Sequence, residues 1–329
     1  EILADPDRGG AVELLLTRVL RSDCRLIGLS AVIGDAPGLA EWLRAQPVVY
    51  ERRPVELRYG VLHDGVFRYR TYNELSEGEE KLVPFHSDSA GEILIENVRA
   101  LASAGETCLV FVKSRRESRA AAEILSHRIQ EPSAVRALDE LRDLEATRSR
   151  DILLQTLANG VAFHNADLSP DERRVVEKAF RAGEVKVMVA TSTLAVGLNM
   201  PAQNVFVTPE KWRYDNRFGM PWKAPISRAE FENMGGRAGR YGSDKPFGRA
   251  ILVAPTPFDQ ETLWRRYVDG EREEIEPQLD KAALEDPVLR LVAARTCRTE
   301  KELLELLEGT LTGRRVWQVY HTRDECASK

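Results

Sequence analysis

Two arginines three positions apart, Arg237 and Arg240, stand in the stretch FENMGGRAGRYG (231–242), where glycine and alanine leave little side-chain bulk around them. On a helix, positions i and i+3 share a face, and a guanidinium keeps its charge while gripping phosphate oxygens with two parallel N–H groups. A polyphosphate suits that pair; a glycine-rich turn with two solvated arginines fits the same residues. A second stretch, ATSTLAVGLNMPAQNVFV (190–207), sets Thr191, Ser192 and Thr193 at the end of an expected buried strand and then turns through Gly197 and Asn199. Ligands of open α/β sheets sit at the carboxyl ends of strands, so these hydroxyls and the backbone near Gly197 suit phosphates of a nucleotide or a nucleic-acid strand; a capped strand-to-helix turn is the other reading.

A third stretch, FVKSRRES (111–118), delivers Lys113, Ser114, Arg115 and Arg116 to the start of a helix. Cations there oppose the helix dipole unless an anion is bound, which favours a bound phosphate over a purely structural cap; a solvated basic face fits the same residues equally well. Between the second and first stretches lies PEKWRYDNRFGMPWK (209–223), in which Trp212, Tyr214, Phe218 and Trp222 alternate with Lys211, Arg213, Arg217 and Lys223. Flat aromatic faces accept stacked bases while the cations follow phosphates. A hairpin packing its aromatics against its own domain also fits.

The elements that must position these residues are short. Buried parallel strands are expected at 24–30, 108–113, 186–191, 204–207 and 249–254, with capped helices between most of them. Ser114 with Glu117 forms one capping box. Ser169 with Glu172 forms another, with Pro170 at the first helical position and Gly183 as the stop. Ser227 with Glu230 starts the helix that leads to Gly235 and Gly236. Strands alternating with helices predict an α/β fold built on a doubly wound parallel sheet. In 48–92, PVELRYGVL and GVFRYR are strand-like and NELSEGEE reads as a loop. From about 275 onward two helices are expected, one capped by Asp286-Pro287 and one by Thr299 with Glu302.

Composition narrows the class. The chain has 329 residues, 43% of them hydrophobic, with a formal charge of −5, enough for two or three compact units and compatible with local basic clusters that bind phosphate. Cys24, Cys108, Cys297 and Cys326 form no CxxC pair, so neither a zinc site nor a disulfide framework is indicated. No apolar run approaches a membrane span and no signal peptide is expected; the reading is a cytoplasmic protein, nucleoid-associated if prokaryotic.

Taken together, the three phosphate-directed stretches resemble, in order and spacing, motifs IV, V and VI of superfamily 2 helicases. VAFHNADLSPDERRVVEKAFRAGEVKVMVAT (161–191) is similar to the block between IV and V in the DExH-box branch. The match is closest to the superkiller-like helicases, particularly the archaeal and metazoan repair enzymes. LSAVIGDAPGLAEWL looks like motif III, and the end of the chain looks like the start of a winged helix. The resemblance implies RecA-like motor domains that close over ATP, with residues 1–47 the rear of a first motor domain, 48–274 the second and 275–329 the beginning of a small helical winged-helix domain.

It also implies that Arg237 and Arg240 reach the γ-phosphate, and that Gly197, Asn199 and Asn233 belong to the nucleotide-coupled set. Lys113, Ser114, Arg115, His164, Thr191 and Ser192 fall to nucleic acid. So does a strand-separating hairpin containing Trp212, Arg213, Tyr214, Arg217 and Phe218. A buried or hydrogen-bonded His164 is the competing reading of that residue. Asn233 replaces the family's glutamine, Val32 the threonine of motif III, and Asp167 the glycine of an HHAGL pattern that here reads HNADL. The chain holds no GxxxxGK[ST] phosphate loop and no DExH sequence, so the Mg2+ ligands are expected upstream of Glu1 and the 329 residues alone are expected to be inactive. The expected partner is single-stranded or forked nucleic acid, moved along 3′ to 5′. DNA is favoured, although phosphate contacts do not distinguish it from RNA. The alternative is a nucleic-acid-binding scaffold or regulatory module on a motor fold that no longer unwinds, to which Val32 and Asn233 point. Protein partners and oligomeric state are not legible.

Overall fold

The structure, a computed structural model, describes residues 2–5, 8–30, 32, 34–129, 131–191, 200–214, 221–239, 245–281 and 284–317, with the side chains of Arg213, Tyr214, Lys281 and Asp286 left out. The chain forms two compact units, one of residues 51–271 and one of residues 1–50 together with 272–329. Its elements begin with α1 (Gly9–Val19), α2 (Ala36–Trp42), β1 (Glu56–His63), β2 (Val66–Thr71), β3 (Glu77–Lys81), α3 (Ala90–Ser103) and β4 (Cys108–Val112). Then come α4 (Arg115–Arg128), α5 (Val135–Arg142), α6 (Arg148–Leu157), β5 (Val161–His164), α7 (Pro170–Ala182), β6 (Val187–Thr191) and β7 (Asn204–Val207). The remainder are β8 (Glu210–Tyr214), β9 (Pro221–Pro225), α8 (Arg228–Gly235), β10 (Phe247–Val253), α9 (Pro257–Trp264), α10 (Glu285–Ala293) and α11 (Glu300–Glu308).

Residues 51–271 are organised by one sheet in the order β3-β2-β1-β10-β7-β4-β6-β5, with β8 and β9 pairing separately. The six strands from β1 to β5 across this order are parallel, while β2 and β3 add antiparallel to the β1 edge. Strands β4 to β7 are buried along nearly their whole length, as unbroken apolar runs in a covered parallel sheet must be. After β4 the chain crosses to β5 and returns through β6 beside β4, then passes to β7 on the other side. The sheet therefore changes winding direction at β4, the place where open α/β sheets leave a crevice at the strand carboxyl ends.

Several local expectations differ from the structure. The segment 24–30 is not a strand: among the described residues no strand lies beside it to complete its hydrogen bonds, and Ile27 and Leu29 are 74% and 95% exposed. The NELSEGEE stretch is not all loop, because its last four residues open β3. Charge pairing rather than apolar alternation holds β3, with Glu77 bridging Arg68 and Arg70 and Glu80 bridging Arg58. The helix expected to be capped by Asp286-Pro287 begins at Glu285, so both residues lie inside its first turn. The boxes at Ser169 and Ser227 are complete, and Gly183 ends α7 in the left-handed conformation at φ 78°. At Ser114 the hydroxyl caps the amide of Glu117, but the Glu117 carboxylate takes the amide of Lys113 instead of that of the cap.

In the other unit, Leu14 of α1 joins Leu279, Leu291, Cys297, Leu306 and Leu307 in a small core of its own. Glu13 of the same helix is almost fully buried and accepts from both the amide and the hydroxyl of Thr312. Among the described residues no helix is long and apolar enough to cross a membrane.

Candidate functional site

At the carboxyl ends of β4, β6 and β5 the structure brings Lys113, Ser114 and Arg115 together with Thr191, and with His164 and Asn165 beneath them. Thr191 is in register with Val112, one residue before Lys113, so the two strand ends lie side by side. Ser114 spends its hydroxyl on the first turn of α4, 3.2 Å from the amide of Glu117. The cations each hold a carboxylate: Lys113 Nζ is 2.5 Å from Glu210, and Asp167 bridges Arg115 at 2.6 Å and Arg119 at 3.1 Å. Asp167 is fixed in place. Its amide donates to Asn165 Oδ1, and the buried Asn165 amide group donates to the Arg115 carbonyl and to Ser118 Oγ.

His164 is 5% exposed and faces inward. Its Nε2 lies 3.0 Å from Glu177, and Nδ1 makes no hydrogen bond among the described residues. Burial pushes the imidazole pKa below its ordinary value, with the Glu177 carboxylate opposing that shift. The neutral ring then donates from Nε2 and leaves a bare lone pair at Nδ1, the less costly atom to bury without a partner. A ring so placed fits the buried, hydrogen-bonded reading of His164.

The hairpin β8–β9 rises from the same edge of the sheet, directly after β7, with Trp212 opposite Lys223 and Arg213 opposite Trp222. Trp222 is half exposed, Trp212 less so, and the Lys223 ammonium lies 5.8 Å from the Trp212 ring centre. The base of the hairpin is anchored. Ile226 donates its amide to the Pro209 carbonyl, and the Tyr267 hydroxyl sits 3.1 Å from the carbonyls of both. Lys211 is joined to Glu230, which also completes the cap of α8.

Helix α8 carries the chain away from this edge to the opposite end of the sheet. It ends at Gly235, before Arg237 is reached, which corrects the expectation that Arg237 and Arg240 share a helical face. Residue 238 forms an isolated parallel bridge with Ala202, and Gly239 has φ +92°, conformations no helix contains. The turn docks on the amino ends of β1, β10 and β7. Ala202 donates to the Arg237 carbonyl at 3.0 Å and accepts from the Gly239 amide at 2.9 Å, and a side-chain carbon added at Gly239 would press on Val55. A Cβ at Gly248 would overlap the backbone of Ala238 and Gly239, so both glycines are required for the close approach. Asn233 and Arg237 are half-buried. The arginine turn and the basic edge therefore lie at opposite ends of the parallel strands, about 15 Å apart for five extended residues.

Arg240, Ser192, Gly197, Asn199, Arg217 and Phe218 lie outside the described residues, as do the side chains of Arg213 and Tyr214. Among the described residues no group of three His, Cys, Asp or Glu side chains is placed to hold a metal ion. Sequence reasoning missed Arg53, Asn165 and Tyr267, each of which acts on a partner distant along the chain. The one local signal available was Asp167, a charge where the resembling pattern has glycine.

Residues 90–242 match the family model for the helicase conserved C-terminal domain. The chain contains a superfamily 2 helicase C-terminal domain. It is 37% identical over 319 residues to the ATP-dependent DNA helicase Hel308 of Pyrobaculum calidifontis, covering 94% of this chain and 43% of that protein. Identity is 36% over 314 residues to Hel308 of Pyrococcus horikoshii and 32% over 324 residues to that of Methanocella arvoryzae, covering 94% of this chain and 41% of either relative. The chain thus spans about two fifths of the length of these relatives. The eight-stranded, mostly parallel sheet is consistent with a RecA-like helicase domain.

Proposed function

We propose that this chain is the C-terminal portion of an ATP-dependent DNA helicase that moves 3′ to 5′ along a single strand. Residues 48–274 serve as its second motor domain, 1–47 belong to the first, and 275–329 begin a winged helix. The observation that carries the reading is the division of labour across one sheet. A backbone-fixed arginine turn lies at the amino ends of β1, β10 and β7, and a hydroxyl and cation set with an anchored aromatic hairpin lies at the carboxyl ends of β4 and β6. Arg237, together with Arg240, suits the phosphates of a bound nucleotide, which supplies the free energy for movement when hydrolysed. A turn held by its own backbone presents charge without reorganisation at the moment of transfer, the condition under which electrostatic stabilisation is most effective. Lys113, Ser114, Arg115 and Thr191 contact the phosphodiester backbone, while Trp212 and its neighbours stack on bases at the point of separation.

The test is ATP hydrolysis by the full-length protein with single-stranded DNA, single-stranded RNA or neither, together with release of a labelled strand from a forked duplex. Stimulation by DNA with strand release is expected, and the 329 residues alone should show no turnover. Stimulation without strand release would favour the non-unwinding module. No stimulation by either polymer would end the motor reading.

The ion pairs of the basic edge give a second measurement. Asp167 neutralises the two arginines nearest the expected strand path, so a phosphate must displace its carboxylate or share the arginines with it. Asp167→Asn is expected to tighten binding of a short DNA strand about 3-fold to 10-fold at low salt and to steepen the log–log salt slope by roughly 0.7 per phosphate gained. Unchanged affinity and slope in a filter-binding titration would place Arg115 away from the strand.

A further inference from the structure

We propose that Arg53 is the positioning residue of the arginine turn, fixing the backbone from which Arg237 extends toward phosphate. The inference rests on the helicase reading above and adds to it a residue outside every recognised motif. The last carbonyls of a helix have no amide one turn ahead to bond with. At the end of α8 the carbonyls of Glu232, Met234 and Gly235 are met by the amides of Gly236, Arg237 and Ala238, and the carbonyls of the turn that follows are met by Arg53: its Nη2 donates to Gly236 O at 3.1 Å and to Ala238 O at 2.9 Å. With Ala202 donating to Arg237 O, three successive carbonyls are held, two of them by one guanidinium whose charge complements the negative end of the helix.

Arg53 is itself mounted firmly. Its amide donates to Asn73 Oδ1 at 2.8 Å, its carbonyl accepts from Asn73 Nδ2 at 3.2 Å, and the Asn73 amide donates to Glu56. Its guanidinium carbon lies 5.8 Å from the centre of the Tyr72 ring. Its Nε is buried without a hydrogen bond among the described residues. Burying a guanidinium with an unmet N–H is unfavourable, and the compensation visible here is the grip on two carbonyls of the turn.

The experiment uses Arg53→Met, which keeps the length of the stem and removes the donors, and Arg53→Lys, which keeps the charge. In this chain, amide hydrogen exchange at Gly239 is expected to speed up by about 10-fold or more in Arg53→Met, with Ile251 in the sheet unchanged and Arg53→Lys in between. In the full-length protein, kcat for DNA-stimulated ATP hydrolysis should fall by about 10-fold or more in Arg53→Met while KM for ATP and DNA affinity stay within about 2-fold. Unchanged exchange at Gly239, or unchanged kcat in an active enzyme, overturns the proposal. So does loss of protection spread evenly over the sheet, the mark of a merely structural role. If the unaltered full-length protein does not hydrolyse ATP, the helicase reading fails, and the exchange measurement still decides whether Arg53 holds the turn.

Discussion

Replacing Arg240 or Arg237 by alanine in the full-length protein is expected to lower kcat for DNA-stimulated ATP hydrolysis by about 10³-fold to 10⁵-fold for whichever residue serves as the finger. DNA affinity measured without nucleotide should change little. The size of the effect follows from what a guanidinium does at a transferring phosphoryl group: it neutralises charge that is larger in the transition state than in the ground state, so its loss falls on kcat. Lysine is not expected to rescue, because a single ammonium cannot reproduce the planar fork. The backbone around Arg237 argues that the alanine variants will fold. Its carbonyl and the amide of Gly239 are bonded to Ala202, and Arg53 holds the carbonyls on either side, so these backbone bonds of the turn remain in the variants. Equal losses in kcat and in nucleotide-free DNA affinity would instead place these arginines on the nucleic acid.

The features legible in the sequence were those whose cause is local. Ser169, Pro170, Glu172 and Gly183 bracket α7 within fifteen residues, and Ser227 with Glu230 marks the start of α8. Continuous apolar runs disclosed β4, β6, β7 and β10 because a parallel sheet buries both faces of its strands. What was not legible depended on distant partners. The run at 24–30 has the pattern of a strand, yet a strand exists only beside another. β3 has no apolar pattern at all, and its order comes from arginines on β2, β1 and β10. Spacing put Arg237 and Arg240 on one helical face, but the left-handed backbone at Gly239 and the bridge to Ala202 take the chain out of the helix first. Arg53 carried no signal, since its acceptors are 183 and 185 residues away. For His164 the sequence left a buried, hydrogen-bonded ring and a nucleic-acid contact both open; the packing shows the buried ring, and only the packing names its partner, Glu177.

The platform under the arginine turn is itself held by a buried charge, and its removal should have the largest effect on stability of any substitution considered. Arg249 of β10 is 2% exposed and binds Glu80 of β3, Glu106 before β4 and Asn204 of β7, so one guanidinium ties together strands from both halves of the sheet. Asn204 also donates to Glu106, Lys245 reaches the same carboxylate, and Arg58 pairs with Glu80. Removing one member of a buried ion network leaves the others desolvated and unpaired, at about 3–5 kcal/mol. Arg249→Met, which keeps most of the volume, should therefore lose about 3 kcal/mol in urea unfolding at pH 7, the low end applying because Lys245 and Arg58 remain.

The pH dependence separates this cause from simple loss of packing. Burial alone would raise the pKa of Glu106. The hydrogen bonds from Lys245 and Asn204 and the charge of Arg249 outweigh it and hold the carboxyl below its ordinary value; Glu80 is held down likewise, against burial, chiefly by Arg249. A depressed carboxylate contributes stability above the unfolded pKa, near 4.5, and that contribution is lost as pH falls through the folded value. Without Arg249 each carboxylate keeps only its other depressing partners, Lys245 and Asn204 for Glu106 and Arg58 for Glu80, so the variant loses less stability on acidification than the parent and its deficit should shrink as pH falls from 7 toward 4. A deficit that stays constant with pH would mean that Arg249 acts through packing against Phe247, whose ring centre is 5.0 Å away, and not through its carboxylates.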